Sequence, residues 1–209
     1  RGTLQRPEPP GAGWREGGGE YARLAASWGL QTLPQRAEIY PLGGAGDRLG
    51  LTDPATGEPL PAALLQYDGR SLLEGLLRDL TAREWLYYKV FGEQLRTPVC
   101  IMTSAAKGNH GRISGLIARN DFFGRGENGF RLFEQPLVPV VTVKGGKWVV
   151  DTNKEMAVSL KPGGHGAIWK LMHDNGVFTW LGAKVRVSRR SQIRHTPLFT
   201  APLSVYHVP

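Results

Sequence analysis

The chain has 209 residues, 41% of them hydrophobic, and a formal net charge of +8. That is enough apolar material for one well-cored domain or part of a larger one. No apolar run approaches the ~20 residues of a membrane-spanning helix, so a soluble chain with no membrane partner is expected.

The charge does not point to a nucleic-acid partner. From Gly182 to Pro209 there are five Lys/Arg and no Asp/Glu, leaving +3 for the rest of the chain. The excess is mostly a basic tail, and no RNP aromatic motif or zinc module accompanies it. The single cysteine, Cys100, excludes an internal disulfide. Set in the apolar run PVCIMT, its thiol is expected to be buried and inert.

Residues 1–20, rich in Gly and Pro and poor in aliphatics, are expected to form a disordered arm. YARLAASWGL predicts a short helix, with Leu24, Trp28 and Leu30 available for packing and Gly29 near its end. AEIYPL predicts a strand that runs into a glycine loop, and TDPATGEPLPAALL a long surface loop. The clearest helix spans Ser71 to Phe91. Ser71 and Glu74 fit a capping box, Leu73, Leu76, Leu77 and Leu80 recur at helical spacing, and Gly92 supplies the stop. TPVCIMTS reads as a strand buried in a parallel sheet, with Ser104 placed to cap a second helix through Arg119. FRLFEQ and LVPVVTV predict two further strands, Gly145-Gly146 a hairpin turn, and Ala167 to Asp174 a last helix. Strands alternating with helices predict an α/β fold. The expected organisation is an arm (1–20), a nucleotide-binding α/β domain (21–181) and an atypical basic tail (182–209).

In such a sheet, the loops leaving the carboxyl ends of the strands form the ligand crevice. Three loops are distinctive: LGGAGDRLG, MTSAAKGNH and KPGGHGAIW. In the first, Gly44, Gly46 and Gly50 miss the G-x-G-x-x-G spacing, and no Gly-Lys-Ser/Thr follows, so neither a dinucleotide fingerprint nor a Walker loop is present. Residues without a Cβ still let backbone N–H groups converge on an anion, and Arg48 can add a planar fork of donors. A tight turn is the competing reading. In the third loop, Gly163, Gly164 and Gly166 permit close approach of a ligand to the main chain. His165 projects an imidazole that serves as a ligand donor or caps the following helix. Gln135, at the end of FRLFEQ, has an amide that reads a base edge or satisfies neighbouring backbone. His110, His173, His195 and His207 show no metal-ligand spacing, so no metal-ligating residues are assigned. Ser104 lies outside any G-x-S-x-G elbow.

In this order, PLGGAGDRLG, GEPLPAALLQYDGRSLLEGLLRDLTAREWLYYKVFG, IMTS, FEQPLVPV and KPGGHGAIWKLMHDNGVFTWL resemble the UDP-sugar pyrophosphorylases. The likeness is strongest to their chloroplast, sulfolipid-associated branch and covers residues 37–181. The resemblance implies a Rossmann-like nucleotide-diphospho-sugar transferase (GT-A-like) fold, incomplete at its C-terminal side. It implies joining of UTP and glucose 1-phosphate to give UDP-glucose and pyrophosphate, with Mg²⁺, in the chloroplast stroma. It further implies that Leu42, Gly43, Gly44, Ala45, Gly46 and Asp47 form the nucleotide loop, with Arg48 facing the triphosphate. Met102, Gln135, Gly163 and Gly164 would surround uracil and ribose, and His165 the sugar-phosphate side. Two positions depart from the pattern: Asp47 stands where the family usually has Thr, and Ala62 where it usually has Lys after the proline. Beyond GVFTWL the family continues into a sugar-binding half with an N-x-D-N-like motif and a second catalytic lysine, which residues from Gly182 onward do not resemble. The chain alone is therefore expected to be impaired in turnover, the alternative being a non-catalytic nucleotide-binding module.

Overall fold

A computed structural model of the chain describes residues 19–44, 46, 49–151, 157–185 and 203–205. Most of the expected arm and most of the basic tail lie outside the described residues. In chain order the elements are α1 (Gly19–Gln31), β1 (Ala37–Pro41), β2 (Gln66–Tyr67), β3 (Arg70–Ser71), α2 (Leu72–Phe91), β4 (Val99–Ser104) and α3 (Asn109–Arg119). They continue with β5 (Phe130–Gln135), β6 (Leu137–Pro139), β7 (Val150–Asp151), β8 (Ala157–Val158), β9 (Leu160–Pro162), α4 (Ile168–Asp174), α5 (Val177–Lys184) and β10 (Leu203–Val205).

The central sheet has the order β10-β1-β4-β5, and all of its pairings are parallel. All six residues of β4 are buried, which is why Val99 to Met102 form a continuous apolar run rather than an alternating one. Successive side chains point to opposite faces and feed two cores. On one face Tyr40, Val99 and Ile101 pack with Leu73, Leu77 and Leu80 of α2 and Ile113 and Ile117 of α3. On the other, Ile39, Cys100, Met102 and Phe133 pack with Ile168 and Met172 of α4 and Val177 and Leu181 of α5. Burial pushes the Cys100 thiol up to about 12, against a smaller pull from Arg131, so the thiol stays protonated and inert as expected.

Helix α2 begins and ends where its sequence says. Ser71 Oγ accepts from the Glu74 N–H at 3.2 Å, and Gly92, at φ 71°, closes the last turn through Tyr88 O. The Glu74 carboxylate lies 3.7 Å from Arg78, one turn along the helix, so only half of the capping box is realised. In α1, Leu24 and Trp28 are 44% and 58% exposed. The expected packing face is therefore open on these two residues.

Two other expectations are corrected. Ser104 does not cap α3: a turn at Ala106–Gly108 intervenes, and the helix starts after Gly108 with no side-chain cap. The run LVPVVTV is strand only over Leu137–Pro139, because Pro136 and Pro139 lack the N–H needed for a continuous ladder. The expected hairpin turn is present. Val141 bridges Trp148, and Gly145 and Gly146 adopt φ of 81° and 59°. Helix α5 runs to Lys184, and β10, from the stretch read as a tail, pairs with β1 at the sheet edge.

A buried charge cluster ties α2 to both flanking connections of the sheet. The Arg125 guanidinium donates to both Glu84 oxygens at 2.8 Å and to Thr97 O at 3.1 Å. Glu84 also accepts from the Thr97 N–H at 2.6 Å. Near it, Glu38 of β1 meets Arg83 at 3.0 Å. Burial raises the Glu38 carboxyl above its ordinary range despite that guanidinium.

Breaking such a pair strands a charge in the interior. Arg125→Ala is expected to cost about 3–5 kcal/mol in urea unfolding, and the double change Arg125→Met with Glu84→Met clearly less. Equal losses in the two would contradict the pairing.

Candidate functional site

The site forms where β1, β4 and β5 end. Beyond Pro41, the Leu42 N–H donates to Met102 O at 2.9 Å, so pairing with β4 runs one residue further than the strand. Leu42 O then accepts from Asn109 Nδ2 at 2.9 Å, while Asn109 Oδ1 accepts from the Ser104 N–H at 3.0 Å. Asn109 is buried and thus ties the loop after β1 to the loop after β4. Its role was not visible in the sequence, where an asparagine at a helix start reads as an ordinary cap.

Gly43 is required by close approach. A Cβ there would lie 2.2 Å from Gln135 Nε2 and 2.8 Å from Thr103 O. The loop continues through Gly46, at φ 65°, which accepts from the Leu49 N–H at 3.0 Å. Of the expected nucleotide loop, Ala45, Asp47 and Arg48 lie outside the described residues.

The second glycine loop is delivered by pairing. Strand β6 follows β5 directly and runs antiparallel to β9, with Leu137 opposite Pro162. The next residue, Gly163, donates to Pro136 O at 3.0 Å, and Gly164 donates to Gln135 Oε1 at 3.1 Å. Gly164 has φ 97°, a region essentially reserved for glycine. His165 follows in a short turn before α4, and its Nε2 lies 3.9 Å from where a Cβ on Gly44 would stand. Helix α4 itself starts after Ala167 without a side-chain cap. The two glycine loops therefore face each other across the end of β5, with the Gln135 carboxamide between them.

Gln135 is only 2% exposed. Its oxygen is committed to Gly164, whereas its nitrogen has no acceptor among the described residues. Ser104, its register partner on β4, has a buried Oγ that likewise lacks a partner among them. Register partners on parallel strands point to the same face, so the carboxyl ends of β4 and β5 carry two buried polar groups without a partner among the described residues. Such groups are uncommon in protein interiors and call for an explanation. Met102 differs from the other expected site residues: its side chain is fully buried in the core beneath α4, and it reaches the loop only through its carbonyl. Two larger hollows, of about 480 and 600 Å³, flank Trp85 and include none of the expected site residues.

Among the described residues, no group of three His, Cys, Asp or Glu side chains could hold a metal ion. No helix among them is long and apolar enough to cross a membrane.

Comparison with known proteins places this arrangement. No protein-family model matches the chain. Over 173 residues, 80% of the chain, it is 58% identical to UTP–glucose-1-phosphate uridylyltransferase 3, chloroplastic, of Arabidopsis thaliana, and spans 19% of that protein. Among solved structures, it matches an Entamoeba histolytica protein named as a UDP-N-acetylglucosamine pyrophosphorylase. That match has a TM-score of 0.64 and 23% identity, over 78% of this chain and 39% of the other. It also matches a Trypanosoma brucei UDP-glucose phosphorylase, with a TM-score of 0.51 and 19% identity, over 74% of this chain and 30% of the other. At those identities the likeness is one of fold: a parallel α/β fold shared over part of the length of each protein.

The contact between Gly43 and Gln135 has a measurable consequence. Gly43→Ala should destabilise the chain by about 1–3 kcal/mol, because Thr103 O is backbone and cannot yield. Gly44→Ala, whose Cβ has nothing nearer than 3.9 Å, should stay within about 0.5 kcal/mol. Denaturant melts of the two variants check this, and equal stabilities would refute the close approach.

Proposed function

We propose that the paired glycine loops hold UTP for uridylyl transfer to glucose 1-phosphate, starting from the 58% identity that 80% of the chain shares with part of the Arabidopsis uridylyltransferase. The observation that carries the reading is the Gln135 carboxamide. Because Oε1 is committed to Gly164, Nε2 can offer only a donor to a ligand, and a carbonyl of uracil is the matching acceptor. The absence of side chains at Gly43 and Gly164 leaves room for a base and ribose against the main chain, and Gly163 fixes the loop. Leu42, its own N–H spent on Met102 O, would anchor the loop, and Gly44, Ala45, Gly46 and Asp47 would then carry backbone N–H groups along the phosphates. Met102 would contribute by holding Leu42 in place rather than by touching the base.

In the reaction, an oxygen of glucose 1-phosphate attacks the α-phosphorus of UTP. The bond from that phosphorus to the oxygen bridging to the β-phosphate breaks, and its electron pair leaves with pyrophosphate. Catalysis rests on alignment and on stabilising the charge that builds on the leaving group. We assign Arg48 to the triphosphate and His165 to the sugar-phosphate side, the latter supported by its place beside Gly44. Magnesium would come with the triphosphate, whose oxygens are its customary ligands. We place the activity in the chloroplast stroma, feeding sulfolipid synthesis. The support is the sequence resemblance and the chloroplastic name of the Arabidopsis relative.

One observation favours a second reading, a nucleotide-binding module without turnover: beside Gly46 the chain presents the backbone of Ala62, where the family usually places lysine. Calorimetry of the chain with UTP, followed by a pyrophosphate-release assay on adding glucose 1-phosphate, separates the two. Binding with release supports transfer, binding without release supports the module, and no UTP binding removes both. Gln135→Leu should weaken UTP binding about 10-fold or more, since it removes the one donor aimed at the base.

A further inference from the structure

The loop after β4 supplies a feature that neither the resemblance nor the proposed function uses. We propose that Lys107 supplies a cation to the phosphate tail of the nucleotide, an inference that rests on the UTP reading above. Lys107 stands three residues beyond the last residue of β4, at the edge of the sheet from which the glycine loop springs. With Gly46, Gly50, Thr52 and Leu60 it lines a recess of about 140 Å³, which has room for a phosphoryl group.

Three further observations support the assignment. Gly46 and Gly50 have φ of 65° and 57°, and the main chain of Leu60 and Ala62 crowds Gly46, where a Cβ would be 3.2 Å from Ala62 N. The walls of the recess are thus largely backbone, and Lys107 is its one cationic side chain among the described residues. Arg112, on the neighbouring helix α3, is engaged by Asp53 at 3.9 Å and by Glu58. This contact fastens the 52–60 strap that forms the far wall.

The second observation is conformational. Lys107 is held at φ 51°, ψ 33°, and Gly108 beside it at φ 64°. A left-handed backbone is disfavoured for a residue with a Cβ and costs glycine nothing comparable. A lysine kept where glycine would fit better is the kind of local strain that gathers at ligand sites.

The third is independent of Lys107. At the other end of the same glycine loop, the buried Gln135 Nε2 has no partner among the described residues and sits against Gly43. Three residues separate Gly43 from Gly46, a span of at most about 10 Å. That is comparable to the reach from a base to its phosphates. A ligand with a carbonyl acceptor at one end and anionic oxygens at the other satisfies both ends of the loop.

The test is calorimetry of the full chain with UTP and with UMP, comparing wild type with Lys107→Met, Lys107→Arg and Lys107→Gly. Lys107→Gly relieves the left-handed backbone, so it should melt no lower than wild type and guards against a variant that fails to fold. Both neutral variants should lose about 10-fold or more in UTP affinity with UMP affinity changed less than twofold, and Lys107→Arg should recover most of the loss. If wild type binds UTP and the neutral variants bind it equally well, or lose UMP and UTP alike, Lys107 does not meet the phosphates and the UTP reading stands. If wild type binds no UTP, that reading falls and takes this inference with it.

Discussion

The Gln135 carboxamide is the constraint on which the cleft depends. Its oxygen holds the backbone of one glycine loop and its nitrogen lies against the other, so a single side chain sets the spacing of two segments more than a hundred residues apart in sequence. That spacing is available only because Gly43 has no Cβ. Any larger residue there would meet both the carboxamide and the carbonyl of Thr103. The functional reading follows from the same geometry. A buried amide with one half satisfied and the other half open is expensive to keep unless something completes it.

The sheet separates stability from chemistry along its strands. Toward the start of β4, Glu84, Arg125 and Thr97 form a buried network, and Glu38 of β1 is held by Arg83. These charges face the α2 side and join helix to sheet. At the carboxyl ends, the polar groups are the two amides Asn109 and Gln135 and the hydroxyl of Ser104. Asn109 and the Gln135 oxygen hold loops, whereas Gln135 Nε2 and Ser104 Oγ are buried without a partner among the described residues. In between, β4 is apolar on both faces, so neither end disturbs the other. The arrangement follows the general rule that α/β sheets present ligands with the loops at the carboxyl ends of their strands.

Much of this scaffold was legible in the sequence because its signals are local. The leucine spacing, Ser71 and Gly92 define α2 without reference to anything else, and the nearly continuous apolar run VCIMTS reads as a strand buried on both faces. The misreadings share a cause: they depended on tertiary context. A hydroxyl at a strand end and a helix cap look alike in sequence, and Ser104 was separated from α3 by the left-handed pair Lys107 and Gly108, whose first member carries no such signal. Trp28 has the helical spacing of a core residue, but the described fold leaves it 58% exposed. For Gln135 the structure shows the backbone reading, its oxygen accepting from Gly164, while the base reading remains part of the proposal. That the two glycine loops meet was expected from the rule that loops at the carboxyl ends of the strands share a crevice, since periodicity says nothing about which loops converge.

Hydrogen exchange of backbone amides in the full chain, measured with and without UTP, tests the shared nucleotide most directly. The account predicts slowed exchange in both the segment following β1, around Gly43 to Gly46, and the segment following β9, around Gly163 to Gly166, at the same UTP concentration. Slowing confined to one segment, or to neither, would contradict it.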